Sequence, residues 1–235
     1  MRNVVFVLCL LFLLQACGNK EENDVQSRQM YQVASFDYFA SGKYEGVYPL
    51  NNLFEKADFG IGTVDGLDGE MYVRDGKAYR IISSGEVVEV PSSAMLPFAM
   101  MCKFKPDTMF LYTGKMPVYK KIDELVNDST KLLAIEIKGV YASLTIRSVP
   151  KQEKPYKNLY DIIAHDQVVF HPENLKGTAV GYRIPARCIA VNPTGYHIHY
   201  VSEDGKEGGH VLAFSTDSVM VSIQVLDDIE LVWNN

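Results

Sequence analysis

Cysteine is scarce in this chain of 235 residues: there are four, and Cys9 and Cys17 fall at the very start. The other two, Cys102 and Cys188, are too few and too far apart for a disulfide scaffold and read as buried thiols. Positive charge is also short. Twenty-three Lys and Arg stand against 29 Asp and Glu, a formal charge of −6. Nucleic acid needs a basic face, so that partner class is excluded. A small anion is not, because one buried arginine acts locally. Long apolar runs are missing as well. Residues 4–14 form an unbroken run of eleven, where a membrane-spanning helix needs about 20. There is no internal repeat and no long Pro- or Ser-rich linker, which leaves one compact body.

What is present is a globular composition, 47% hydrophobic and 22% charged. Fourteen Tyr and eleven Phe, with many Val and Ile, lean toward β-structure. The start of the chain has its own character. Arg2, the apolar run and then Leu14-Gln15-Ala16-Cys17 resemble a bacterial lipoprotein signal peptide and its processing box. That resemblance implies a leader over 1–16, lipid on Cys17 and a location in the cell envelope, anchored to a membrane without spanning it. Loss of Arg2 with a leader that holds no acid leaves a charge of about −7. Residues 17–29 are polar and aperiodic and read as a tether.

From residue 30 the pattern is α+β and strand-rich. Short helices are predicted over 35–41, closed by Gly42, and over 50–56. Strands at 60–63, 71–74 and 78–82 are separated by Asp-Gly and Gly-Leu-Asp-Gly turns, and a further strand is expected at 97–104. A helix over 118–127 follows, then a hairpin over 132–149 about Lys138-Gly139. Pro155 opens a helix to His165. The chain is strand-like after 168, with turns at Gly177, Pro193, Asp204-Gly205 and Asp227-Asp228. A first lobe over 30–150 and a second over 151–235 are expected.

The sharpest chemical signal is the stretch from Gly195, GYHIHYVSEDGKEGGHV. Residues two apart on a strand share a face, so His197 and His199 point the same way. Asp204-Gly205 suits the centre of a tight hairpin, which sets Glu203 against Lys206 and His199 against His210. Three imidazoles then converge, the nitrogen set that a divalent metal takes at about 2.0–2.1 Å. Gly208 and Gly209 threaten this register with a bulge. His165 and His171 have no such partners and read as a helix end and a loop. Taken alone, Glu70 reads as an exposed turn acid and Arg147 as a strand-surface charge.

Four blocks, GIGTVDGLDGEMYVRDGKAYRI from Gly60, TIRSVPKQEKPY from Thr145, KGTAVGYRIP from Lys176 and the His block, resemble the α-acetolactate decarboxylase family in order and spacing. The resemblance covers roughly residues 30 to 233. It implies a mixed N-terminal sheet with short helices, joined to a C-terminal antiparallel half like a β-barrel. It implies zinc, or a similar divalent metal, held by His197, His199 and His210, with Glu70 completing the shell and handling a proton. Arg147 becomes an active-site arginine and Thr63 a residue of the pocket wall. No organic cofactor is implied. The substrate is a small 2-hydroxy-3-oxo acid, decarboxylated to acetoin through a metal-stabilised enediolate, and homodimerisation is left open. Three features depart from the family. The chain stops at Asn235, where the family continues to a further metal-site glutamate, and Glu230 falls in a predicted strand instead. Glu136 stands where the family commonly has arginine. An exported chain is also unlike a cytoplasmic family. Two other readings fit the residues: a zinc hydrolase on the same scaffold, and a non-catalytic envelope lipoprotein that binds a metal or ligand.

Overall fold

A computed structural model describes residues 28–114 and 116–233. The leader expected over 1–16, Cys17 and most of the tether lie outside the described residues. In chain order the elements begin with β1 (Gln29–Val33), α1 (Phe36–Ala40), β2 (Tyr48–Pro49), α2 (Leu50–Phe54), β3 (Phe59–Thr63), β4 (Glu70–Arg74) and β5 (Lys77–Ile81). Next come β6 (Val87–Glu89), β7 (Met95–Leu96), β8 (Phe98–Cys102), β9 (Thr108–Thr113), α3 (Val118–Val126) and β10 (Leu132–Ser148). The chain ends with α4 (Leu159–His165), β11 (Val168–Phe170), β12 (Glu173–Ile184), β13 (Gly195–Ser202), β14 (Gly208–Leu226) and β15 (Asp228–Val232).

Local chemistry explains most of the boundaries. The Ser35 side chain accepts from Tyr38 N–H to start α1, and Gly42, at φ 96°, takes the left-handed turn after it. Asp75 and Gly76 both have positive φ and close the β4–β5 hairpin. Asn127 ends α3 in the left-handed conformation. Three expectations fail here. The helix expected from Pro155 starts at Leu159, because the Asn158 side chain caps it by accepting from Asp161 N–H. The hairpin expected over 132–149 is one continuous strand, β10. Lys138 and Gly139 pair with β12 on one side and β14 on the other, so they make no turn. A Cβ on Gly139 would lie 2.8 Å from Ser218 O, so glycine here admits a neighbouring strand. Gly177, also expected in a turn, sits inside β12 opposite Gly139 and Ser202.

The strands form a mixed seven-stranded sheet, β15-β1-β8-β3-β4-β5-β6, in which only β1 and β15 run parallel, and a small β2–β7 pair. They also form an antiparallel six-stranded sheet, β11-β10-β12-β13-β14-β9. An extra β10–β14 pairing joins β10, β12, β13 and β14 in a circuit. This barrel-like half is only partly closed, since β13 and β14 share three residue pairs. The second sheet begins at β9, well before residue 150, and β15 returns to the first sheet, so the sheets interleave along the chain.

Alternation along the strands divides the core. Leu133, Ile135 and Ile137 of β10, with Ile198 and Tyr200 of β13, fill the barrel interior. Leu132 and Ala134 of β10, with Val180 and Tyr182 of β12, face the first sheet and meet Ile61, Phe98 and Met100. His197 and His199 alternate with Ile198 and Tyr200, so they project toward the first sheet rather than into the barrel.

Candidate metal centre and active-site cavity

The site is a lateral row of side chains met by one strand from the facing sheet. Arg147 of β10 is directly opposite His210 of β14, and His210 is directly opposite His199 of β13. The expected register at the histidines is the observed one, with Tyr200 opposite Gly209 and Val201 opposite Gly208. The tight two-residue turn is not formed: Ser202 N–H donates to Glu207 O across a wider loop, Glu203 N–H donates to Lys176 O, and of Asp204 and Gly205 only Gly205 has positive φ. The glycine pair does not shift the register. A Cβ on Gly209 would lie 2.7 Å from Arg147 O, so glycine lets β14 approach β10 where the site is built. His197, two residues before His199, completes the group.

The three rings are 4.9–5.3 Å apart between centroids. Their candidate ligand atoms lie within 4.8 Å of one another. Bonds of 2.0–2.1 Å around one cation require nitrogens roughly 3.4 Å apart, so side-chain closure of up to about 1.4 Å would complete the cage. The nitrogens suit that role. His199 Nδ1–H donates to the Met71 carbonyl at 2.7 Å, which leaves Nε2 with a lone pair. His199 Nε2 and His210 Nδ1 are buried with no hydrogen-bond partner among the described residues. Burial holds all three imidazoles neutral: His199 is pushed down to about 3, and His197 and His210 well below the usual histidine range, with Arg147 adding to the effect. Neutral imidazole is the form that binds a metal.

Glu70 enters from β4. Its Oε2 is 3.3 Å from His199 Nε2 and its Oε1 is 3.5 Å from Arg147 Nη1. Burial pushes its carboxyl pKa up, and the guanidinium beside it works against that shift. Glu70 and Arg147 are each only 8% exposed, so neither is the surface charge that local sequence suggests. Thr63 also reaches the site, where its hydroxyl donates to Gly69 O at 2.7 Å.

These groups share one wall of a cavity of about 200 Å³. Sequence reasoning missed the rest of the wall: Phe36 and Phe39 from α1, Phe98 from β8, Leu159 and Ile163 from α4, and the segment from Asn192 to Thr194. Nothing in the local pattern distinguishes these from ordinary core residues. Glu136 is not part of this wall. It pairs with Arg74 of β4 at 2.5 Å, which balances the charge reversal locally. Glu230, on β15 in the first sheet, pairs with Lys56 just after α2. His165 ends α4 and His171 lies between β11 and β12, as expected.

A buried triad of neutral imidazoles, with one arginine and one carboxylate around so small a cavity, is the site of an enzyme for a small molecule. The chain belongs to the alpha-acetolactate decarboxylase family, whose profile matches residues 30–235. It is 39% identical over 186 residues to the alpha-acetolactate decarboxylase of Methanosarcina mazei, covering 78% of this chain and 64% of that protein's length. It is 32% identical to the Bacillus subtilis alpha-acetolactate decarboxylase over 208 residues, 87% of this chain and 81% of that one. The Bacillus subtilis crystal structure superposes with a TM-score of 0.84 over 88% of this chain and 89% of its own. A Staphylococcus aureus protein of unknown function, described as similar to alpha-acetolactate decarboxylase, superposes at 0.82 with 29% identity, over 86% and 88% of the two chains.

Proposed function

We propose that this protein is a zinc-dependent decarboxylase that converts 2-acetolactate to acetoin and carbon dioxide. The observation that carries the reading is the row Arg147–His210–His199, with Glu70 facing it from the other sheet. A divalent cation held by His197, His199 and His210 would supply a Lewis acid for oxygens of the hydroxy-ketone. Arg147 offers a planar fork of donors to the substrate carboxylate. The bond from that carboxylate to C2 breaks, carbon dioxide leaves, and the electron pair passes to the 3-oxo oxygen as the enediolate forms. One proton delivered to carbon then gives acetoin. Glu70, with its pKa raised by burial, retains a proton more readily than an ordinary carboxyl and is the donor within reach. The aromatic and aliphatic wall accommodates the two methyl groups and excludes water.

The test is direct. The purified chain, analysed for bound metal, is given racemic acetolactate, and acetoin is measured. We expect close to one zinc per chain and acetoin from one enantiomer. Ester hydrolysis without acetoin would favour a hydrolase on this scaffold, and tight metal binding without turnover would favour a binding protein.

A further inference from the structure

Three of the residues that line the cavity each hold a buried side-chain atom with no hydrogen-bond partner among the described residues: His199 Nε2, His210 Nδ1 and Asn192 Oδ1. The two nitrogens belong to the imidazole cluster. The third is an oxygen and can only accept. Asn192 is 1% exposed and sits in the loop that leads into β13.

The orientation of its carboxamide is set by its neighbours. Gln32, fully buried, donates from Nε2 to Ala34 O and to Val191 O, both at 2.9 Å. Those two carbonyls require a donor, so Gln32 must present its Oε1 to Asn192. Asn192 Nδ2 donates to that oxygen at 3.0 Å and also contacts Met100 Sδ. The donor end of Asn192 is therefore committed, and its acceptor end is left unmatched. A buried unmatched acceptor is costly and stands out in a folded protein.

We infer that Asn192 is a specificity-determining residue, whose Oδ1 accepts the hydrogen bond of the substrate hydroxyl on C2. The inference rests on the proposed reading of the cavity as a site for a 2-hydroxy-3-oxo acid. Such a molecule at neutral pH carries one hydrogen-bond donor, that hydroxyl, and its other polar atoms all accept. Arg147 answers the carboxylate. Glu70 faces the Arg147 guanidinium at 3.5 Å and, in the proposed reading, is the proton donor to carbon. The Thr63 hydroxyl can accept while it donates to Gly69 O, but it is already hydrogen-bonded without a ligand. Asn192 Oδ1 remains as the acceptor in need of a donor, and an acid with hydrogen or methyl in place of the hydroxyl leaves it buried and unmatched. Sites built to bond a hydroxyl reject such analogues for this reason.

Two unreactive probes read the contact without turnover: 2-hydroxyisobutyrate and pivalate, which differ by hydroxyl against methyl. Their affinities for the wild-type protein and for Asn192→Leu are measured by calorimetry. Any preference supplied by a bound metal is common to both proteins, so the change in the affinity ratio isolates Asn192. We expect the ratio favouring the hydroxylated probe to fall roughly three- to tenfold in the variant, the span of one hydrogen bond. A purely structural role for Asn192 weakens both probes alike and leaves the ratio unchanged, which overturns the inference. Absence of any binding of the hydroxylated probe to wild type also overturns it. If Asn192→Leu does not fold, Asn192→Ala, which makes the opposite demand on packing, reads the same ratio. Acetoin formation by wild type is scored separately. Acetoin with an unchanged ratio removes the role of Asn192 alone, whereas a fallen ratio without acetoin removes the decarboxylase reading and keeps the hydroxyl contact.

Discussion

Arg147 and His210 stand directly opposite each other on β10 and β14, and His210 stands opposite His199 on β13. The arginine proposed to bind substrate and two of the three imidazoles that could hold a metal thus lie on one line across three strands, set by backbone pairing. The two kinds of group should be separable by mutation. His199→Ala removes one of three nitrogen donors and should lower zinc content sharply, as read by elemental analysis of the purified protein. Arg147→Ala should keep its zinc and lose kcat/KM by on the order of 100-fold or more. Full turnover in the arginine variant would sink the proposed mechanism and leave the metal site standing.

The imidazoles also set a pH dependence. Each has a folded-state pKa below its ordinary value near 6.5, and His199 is down to about 3. Between those values the unfolded chain binds more protons than the folded one, so metal-free protein should lose stability as pH falls below about 6.5. The limiting slope is about 1.4 kcal/mol per pH unit for each histidine. Urea midpoints at pH 7.5, 6.0 and 5.0 check this. A midpoint that does not move over that span, in wild type and His199→Ala alike, would contradict the burial of the rings.

Glu136 is predicted to matter for stability and not for catalysis. Its bond to Arg74 joins β10 to β4 across the two sheets. Glu136→Arg, which restores the charge common in the family, sets two cations against each other and should cost about 1–3 kcal/mol in denaturant unfolding. KM for acetolactate should stay within about twofold, since Glu136 is off the cavity wall. A large change in KM with unchanged stability would place Glu136 in the site after all.

We propose that Cys17 carries the lipid anchor, on the strength of the apolar run and the Leu14–Cys17 box. Cys17→Ser should abolish labelling by a clickable fatty acid and shift the protein from membrane to soluble fractions. Undiminished labelling and membrane association in that variant would remove the anchor and the envelope location with it.

The hairpin that builds the candidate metal centre was legible in the sequence because its rules are local. Strand alternation puts His197 and His199 on one face, and a loop centred on Asp204-Gly205, wider than the expected two-residue turn, keeps the register that brings His210 opposite. Helix starts and stops at Ser35, Gly42 and Asn127 are legible for the same reason, since caps act within one turn. Resemblance to a family, rather than any local rule, singled out Glu70, Arg147 and Thr63. Tertiary structure alone decided the rest. Leu132 to Ser148 has a hairpin-like pattern, yet it continues as one strand, with register shifts after Val140, because β14 pairs along one edge and β12 and then β11 along the other. Glu70 becomes a buried partner of Arg147 only because the first sheet packs β4 against β13, where Met71 O accepts from His199. The orphaned oxygen of Asn192 depends on Gln32, 160 residues away in the chain. Pairing over such distances leaves no periodic mark on a sequence, because it is set by which faces meet when the two sheets close on one core.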